Sequence, residues 1–345
     1  MSFKGLRRRV DLSPAAVAAG LAGRARANPA DVVQRIALPL AWGVLIIPFS
    51  IMRPDTFPTV LNFSGIFGMQ AVLVVLTLAI LIPLTAGDYD LSAASALTLS
   101  SMTLALLNVN YHWPIGAAIV AAVVVGTGVG IVNGAIIVMF GIDPFIVTLG
   151  TGTFFAGITY WISASETISG ISQSLVGPVY DSRFLSIPLG FYYGVALCAI
   201  LFYVFEFTPS GRRLLFVGRG RSVSRLSGIS VSRVRLAAFV ACGTLAGCAG
   251  VLYAGTLGAA DPSSGANFLL PAYAAAFLGA TSILPGRFNP WGAIIAVYFL
   301  QTGITGLQQM GVENFVQQLF YGGALVLAVV LSQVAQRRES RGAGD

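Results

Sequence analysis

GRRLLFVGRGRSVSRLSGISVSRVR, running from Gly211 to Arg235, decides how this chain is arranged. It holds seven arginines (Arg212, Arg213, Arg219, Arg221, Arg225, Arg233 and Arg235) and no Asp or Glu, and apolar runs of membrane-crossing length flank it. Basic connections are retained on the cytoplasmic side of a bilayer. The stretch therefore sets the orientation of every other segment and offers a basic, helix-capable surface inside the cell.

Of the 345 residues around it, 56% are hydrophobic and only 10% charged, with a mean hydropathy of +0.82. A water-soluble fold could not cover itself with so little polar surface, so the composition predicts an all-α polytopic membrane protein embedded in a lipid bilayer. A bilayer core takes about 20 apolar residues per helix. Interruptions by Pro, Gly, Asn or charge then give ten transmembrane helices, at 36–52, 62–84, 91–108, 114–139, 145–164, 188–207, 235–257, 268–284, 290–309 and 315–333. Residues 1–35 read as a retained cytoplasmic tail without a convincing cleavage site, 36–333 as the transmembrane domain, and 334–345 as a second cytoplasmic tail.

With that count both termini are cytoplasmic. The inner side collects 18 of the 20 Lys and Arg residues and the outer side keeps only Arg53 and Arg183. The net charge of +7 thus reflects membrane topology and implies no nucleic-acid partner. Cys198, Cys242 and Cys248 all fall inside spans without metal-ligand spacing and read as small packing residues.

Two stretches repeat. PIGAAI (114–119) opens the fourth span and PWGAII (290–295) the ninth, and both spans close on similar sequences, GIDPF (141–145) and GVENF (311–315). The copies are offset by five spans, and an odd offset inverts them, which predicts a five-plus-five inverted repeat. Gly126, Gly130 and Gly134, and Gly243, Gly247 and Gly250, give the fourth and seventh spans flat strips for close helix packing.

The breaks between spans carry the polar residues. TAGDYDLS (85–92) is too short for a true loop and predicts a turn at the interface, with Asp90 capping the next helix and Asp88 lacking an evident partner. Two readings stand for these acids: groups near water, or contacts on a substrate pathway. Asn133 brings an amide into a small-residue helix, and Phe145 and Thr148 follow the Asp143-Pro144 helix start, where capping by Asp143 is expected. Asp88, Asp90, Asn133, Phe145 and Thr148 are the candidate pathway residues. Arg287, in the turn 284–290, is expected to snorkel toward headgroups.

No span has a charged residue at its middle, which disfavours ion-coupled transport. The single lysine, Lys4, excludes a Walker-type P-loop, and no nucleophile elbow, metal-ligand cluster or cofactor motif is present, so no enzyme activity, cofactor or metal is expected. What remains is a membrane pathway with a basic cytoplasmic hook. Within the hook, Ser222–Ile229 predicts about two helical turns, Val223 and Leu226 on one face and Gly228 as the stop. It serves either to fix topology and touch anionic lipid or to be gripped by an ATPase.

The ordered motifs resemble the permease subunits of bacterial ribose-type (simple-sugar) ABC importers. They are Asp90-Leu91-Ser92, Asn133-Gly134, PFIVTLG (144–150), Gly211-Arg212, LSGI (226–229), Ala246-Gly247 with Ala249-Gly250, Leu278-Gly279 and Thr281-Ser282, spread over residues 60–330. The resemblance implies a multi-pass protein of the bacterial inner (plasma) membrane that forms a homodimer or close heterodimer with a second permease copy. It also implies cytoplasmic ABC ATPase subunits and a periplasmic solute-binding protein, with Ser165–Pro188 facing the latter. The loop at about 208–234 becomes the coupling loop, with Arg221, Ser224, Arg225, Leu226, Gly228 and Ile229 meeting the ATPase. The implied cargo is a monosaccharide or related polyol, with branched-chain amino acids the nearest rival. A reading of a different class is a stand-alone secondary carrier or channel, which would need no such loop. The chain departs from the family at AGDYDLSAA (86–94), where the family commonly reads Gly-Gly-Ile-Asp-Leu-Ser-Val-Gly. It also departs at Gly279-Ala280 and at Thr305-Gly306-Leu307, so the substrate stays open.

Overall fold

The structure is a computed structural model and describes residues 29–342. In chain order its α-helices are α1 (Pro29–Met52), α2 (Val60–Met69), α3 (Ala71–Thr85), α4 (Ala93–Ala105), α5 (Ile115–Phe140), α6 (Pro144–Ile162) and α7 (Gln173–Val176). They continue with α8 (Leu189–Phe207), α9 (Pro209–Arg219), α10 (Arg221–Leu226), α11 (Val231–Leu257), α12 (Ala266–Gly279), α13 (Pro290–Gln309) and α14 (Phe315–Gly342). Along α1, Val33, Ile36, Leu40, Val44, Ile47 and Ile51 recur every three or four residues and stand exposed. Such a stripe belongs against lipid, not water. Among the described residues, seven segments are long and apolar enough to cross a bilayer: α1, the pair α2–α3, α5, α6, α8, α11 and α13. Helix α12 and the segment Phe315–Val330 are apolar but shorter. The chain is an all-α polytopic membrane protein.

Helix α3 is the axle. All fifteen of its residues are buried, as an element apolar on every side must be, and α8, α11, α12 and α13 surround it. Its two threonines satisfy themselves: Thr77 donates to Leu73 O and Thr85 to Leu81 O, each at 2.7 Å. Beside it α5 crosses α11 on the glycine strips. Gly126 lies against Gly243 and Gly247, Gly130 against Phe239 and Val240, and Gly134 against Leu236, while Gly250 meets Leu97 of α4. A Cβ on Gly126 would stand 2.6 Å from the Gly243 carbonyl oxygen, so the crossing admits no larger residue.

Four two-residue strands, β1 (Ile168–Ser169), β2 (Arg183–Phe184), β3 (Ile187–Pro188) and β4 (Ala259–Ala260), form two antiparallel pairs. Ile168 faces Ala260 across β1 and β4, and Arg183 faces Pro188 across β2 and β3. The segment 165–188 is therefore no plain exposed loop: Ile171, Leu175 and Val179 are buried in it. It lies at the far end of α8 and α11 from the arginine-rich stretch. At the arginine end, Arg287 has a protein partner that its sequence context did not reveal. Its Nη2 pairs with Glu206 Oε1 at 2.9 Å, because the last turn of α8 places that carboxylate within reach and half shielded from solvent.

Candidate functional site

The arginine-rich stretch folds into two short helices bolted to the bundle. Thr208 starts α9, its Oγ1 accepting from the Gly211 N–H at 3.3 Å, with Pro209 in the first position, where no N–H is needed. Two glycines let α9 lie flush. Gly211 rests on the backbone of Val204 and Phe205, and Gly218 on the Thr85 carbonyl at the end of α3. Helix α10 then turns over α9. Ser224 is fully buried, its hydroxyl 2.9 Å from Phe216 O and 2.8 Å from Gly220 O. Gly228 takes the left-handed conformation (φ +79°) that ends the helix, and Ile229 N–H returns to Ser224 O at 3.0 Å. Arg225 faces outward with Val223 and Leu226, and Leu226 is 90% exposed.

Asp88 lies directly behind this surface, 1% exposed. Arg235, in the second turn of α11, forks onto it, Nε to Oδ2 at 2.7 Å and Nη2 to Oδ1 at 3.0 Å. Arg221, the first residue of α10, adds a contact from Nη2 to Oδ1 at 2.5 Å and another to Gly87 O at 3.2 Å. The acid that lacked an evident partner in the sequence thus has two, both from the arginine-rich stretch. Bidentate guanidinium-carboxylate bonds are strong and directional.

Asp90, two residues on, turns into the helix bundle and is 1% exposed. Its Oδ1 accepts from Ser92 N–H at 3.0 Å and Ser92 Oγ at 2.6 Å, and its own N–H donates to Tyr273 Oη of α12 at 3.0 Å. Asn133 Nδ2 donates to Ser92 Oγ at 2.6 Å, and Thr151 Oγ1 donates to Asn133 Oδ1 at 2.6 Å. Thr148 Oγ1 donates to Pro144 O at 2.7 Å and accepts from the Leu91 N–H at 3.1 Å. Asp90 and Asn133 therefore meet in one buried network through Ser92, and Thr148 adjoins it through the Leu91 N–H, so together they brace the break between α3 and α4 against α5, α6 and α12. Phe145 does not join it. It stands half exposed on the first turn of α6, where Asp143 accepts from its N–H at 2.8 Å and so caps the helix.

From this break a cleft runs between α4, α6 and the start of α12 toward the end of the bundle that carries β4. Its walls are mostly apolar, with Ser95, Thr98, Thr153, Tyr160 and Ser263 among them and Leu91 at its inner end; the Thr98, Thr153 and Ser263 hydroxyls donate to Ala94 O, Leu149 O and Asp261. Among the described residues none of its lining side chains is charged.

Sequence reasoning missed Arg235 as a partner of Asp88, and it missed Tyr273, Thr151 and the hydroxyls of the cleft. Thr148 and Thr151, three residues apart, share one face of α6, a spacing that could have flagged Thr151. Nothing local points from Asp88 to a partner 147 residues away.

The comparisons accord with this architecture. Residues 62–329 match the family model described as branched-chain amino acid transport system / permease component. The D-allose transport system permease protein of Escherichia coli K12 is 30% identical over 294 residues, 85% of this chain and 90% of its own length. The ribose import permease protein of Bacillus subtilis is 31% identical over 88% of this chain and 94% of its own. The L-arabinose ABC transporter permease protein of Azospirillum brasilense is 27% identical over 95% and 96%. No solved structure gives a significant match. With a family match over most of its length and relatives aligned nearly end to end, the chain belongs to the branched-chain amino acid transport system / permease component family of membrane permeases.

Proposed function

We propose that this chain is the membrane-spanning permease subunit of an ATP-binding-cassette importer in the bacterial inner membrane. It passes a monosaccharide or related polyol, delivered by a periplasmic binding protein, and is driven by cytoplasmic ATPase subunits. One observation carries the coupling half of this reading: Leu226 stands 90% exposed on a short helix anchored beneath by Ser224 and flanked by arginines. A large apolar side chain so presented on a cytoplasmic surface suits insertion into a partner's groove. Arg221, Arg225, Gly228 and Ile229 complete that surface.

The uncharged cleft supports a neutral cargo. A neutral polyhydroxylated solute needs no counter-charge, and a mostly apolar wall carrying a few hydroxyls, such as those of Ser95 and Tyr160, suits it. The relatives named for allose, ribose and arabinose point the same way. In this reading Asp90, Asn133 and Thr148 hold the inner end of the pathway, Phe145 lies beside it, and Asp88 belongs to the coupling side.

The same reading has ten spans, with α4, α12 and α14 joining the seven long helices, and cytoplasmic tails at both ends. The inverted repeat is supported by direction: α5 runs toward the arginine-rich end, where Gly134 meets Leu236, and α13 runs away from it, starting beside the Arg287–Glu206 pair. A second permease copy would cover the exposed face of α6 at Phe154 and Trp161. Uptake of labelled D-ribose, D-allose, L-arabinose and L-leucine by cells with and without the gene tests the cargo. A sugar among them is expected to lose uptake on deletion, and loss of L-leucine uptake alone contradicts the proposal.

A further inference from the structure

We propose that Asp88 is a positioning residue that joins the ATPase-facing helix α10 to the gate end of the solute cleft. The inference rests on the importer reading above and assigns the link by which the loop acts on the pathway.

Three elements converge on this one buried carboxylate. Arg221 brings α10, Arg235 brings α11, and the chain itself brings the break between α3 and α4. Arg235 fixes both oxygens, which sets the plane of the carboxylate as well as its distance. Arg221 holds the side chain and also the Gly87 carbonyl, so it grips the backbone of the break directly. Without the acid, two guanidiniums would repel each other in a stretch that has no other acidic residue, and α10 would separate from α11.

The break transmits displacement because it is held at both ends. Gly87 N–H donates to Leu84 O at 3.0 Å and Asp88 N–H to Pro83 O at 2.9 Å, which makes this part an extension of α3. Two and three residues on, Asp90 N–H is held by Tyr273 and Leu91 N–H by Thr148, and Leu91 itself lines the cleft. Arg221, Asp88, Leu91 and Thr148 thus form a continuous bonded route from the arginine-rich, ATPase-facing surface to α6. A shift of α10 moves Leu91, whereas a loop tethered only by lipid would not.

Backbone hydrogen exchange at Asp90 and Leu91 tests this in the complex of the chain with its ATPase, compared between the ATP-bound and ADP-bound states. In the unmodified chain the two amides are expected to change protection at least about fivefold between nucleotides. In Arg221→Gln, read at saturating ATPase because Arg221 also belongs to the ATPase-facing surface, that response is expected to fall below about twofold, whereas Arg225→Gln, on the same surface without touching Asp88, is expected to keep it. Arg221→Lys, which keeps the charge, should restore part of it. A static brace would show no nucleotide response in any version, and a response in Arg221→Gln equal to the unmodified chain would likewise overturn the link. Failure of the ATPase to bind the unmodified chain would overturn the importer reading and this link with it; binding with an unaltered Arg221→Gln response overturns the link alone.

Discussion

Asn133 of α5 donates its amide to the Ser92 hydroxyl at the head of α4, 2.6 Å away and forty-one residues apart in sequence. The same amide oxygen receives Thr151 of α6, so a single side chain ties three helices at the level of the break. Because Ser92 in turn donates to Asp90 Oδ1, the amide, the hydroxyl and the buried acid form one hydrogen-bonded chain. A polar network in this position is stable only when every member has its partner.

Asn133→Ala is therefore expected to cost about 1 kcal/mol. A double-mutant cycle with Thr151→Val should return a coupling near 0.6 kcal/mol, the average for membrane hydrogen bonds. Unfolding in detergent micelles measures both, and additive effects would show that the 2.6 Å contact contributes nothing.

Among the three charges, Asp88→Asn should destabilise most, by about 3 kcal/mol, since it leaves a nearly buried guanidinium facing no acid. Arg235→Gln should follow. Arg221→Gln should cost about 1 kcal/mol or less, because water screens its half-exposed side chain. Melting temperatures of the three variants check the order, and Arg221→Gln ranking first would contradict it.

Gly218→Ala is expected to lower stability by about 1–3 kcal/mol, because the new methyl meets the Thr85 carbonyl group, which is backbone and cannot rotate aside. Gly116→Ala on α5, with nothing within 4 Å, is the control and should be neutral or mildly stabilising.

Leu226→Asp should leave the melting temperature unchanged, since the side chain is 90% exposed, and should abolish co-purification with the ATPase. Ser224→Leu should weaken both, because its hydroxyl holds α10 onto α9 from a fully buried position.

At the opposite end of the bundle, hydrogen bonds from the Ser263 side chain hold the Asp261 carboxyl below its ordinary value, and Thr167 Oγ1, next to β1, also donates to it at 3.0 Å. A depressed folded-state value contributes stability that is present above the unfolded value and lost as pH falls through the folded one. Protection at Ile168 and Ala260, taken relative to the intrinsic exchange rate at each pH, should accordingly fall below about pH 4, and that fall should be absent in Asp261→Asn.

The seven long apolar segments among the described residues were legible because a bilayer demands such runs, and the arginine-rich stretch is too charged to lie within one. Gly228 was readable as a helix stop and Asp143-Pro144 as a helix start, since both are local backbone chemistry. Pairing across the chain was not. The split between α2 and α3 at Gln70 is hidden inside one apolar run, and β1 finds β4 about ninety residues later with no periodic signal. Asp90, Asn133 and Thr148 could be picked out as polar residues at breaks, yet only the fold shows that they meet, and that Asp88 turns the other way toward Arg221 and Arg235.

The central claim is that this chain moves solute only when an ATPase drives it through the arginine-rich connection. Proteoliposomes holding the chain alone, and others holding it with its ATPase and binding protein, can be loaded with ATP and given labelled D-ribose, D-allose or L-arabinose. The account predicts uptake only in the second set, dependent on hydrolysis and lost with Leu226→Asp. Solute flux through the chain alone would contradict it.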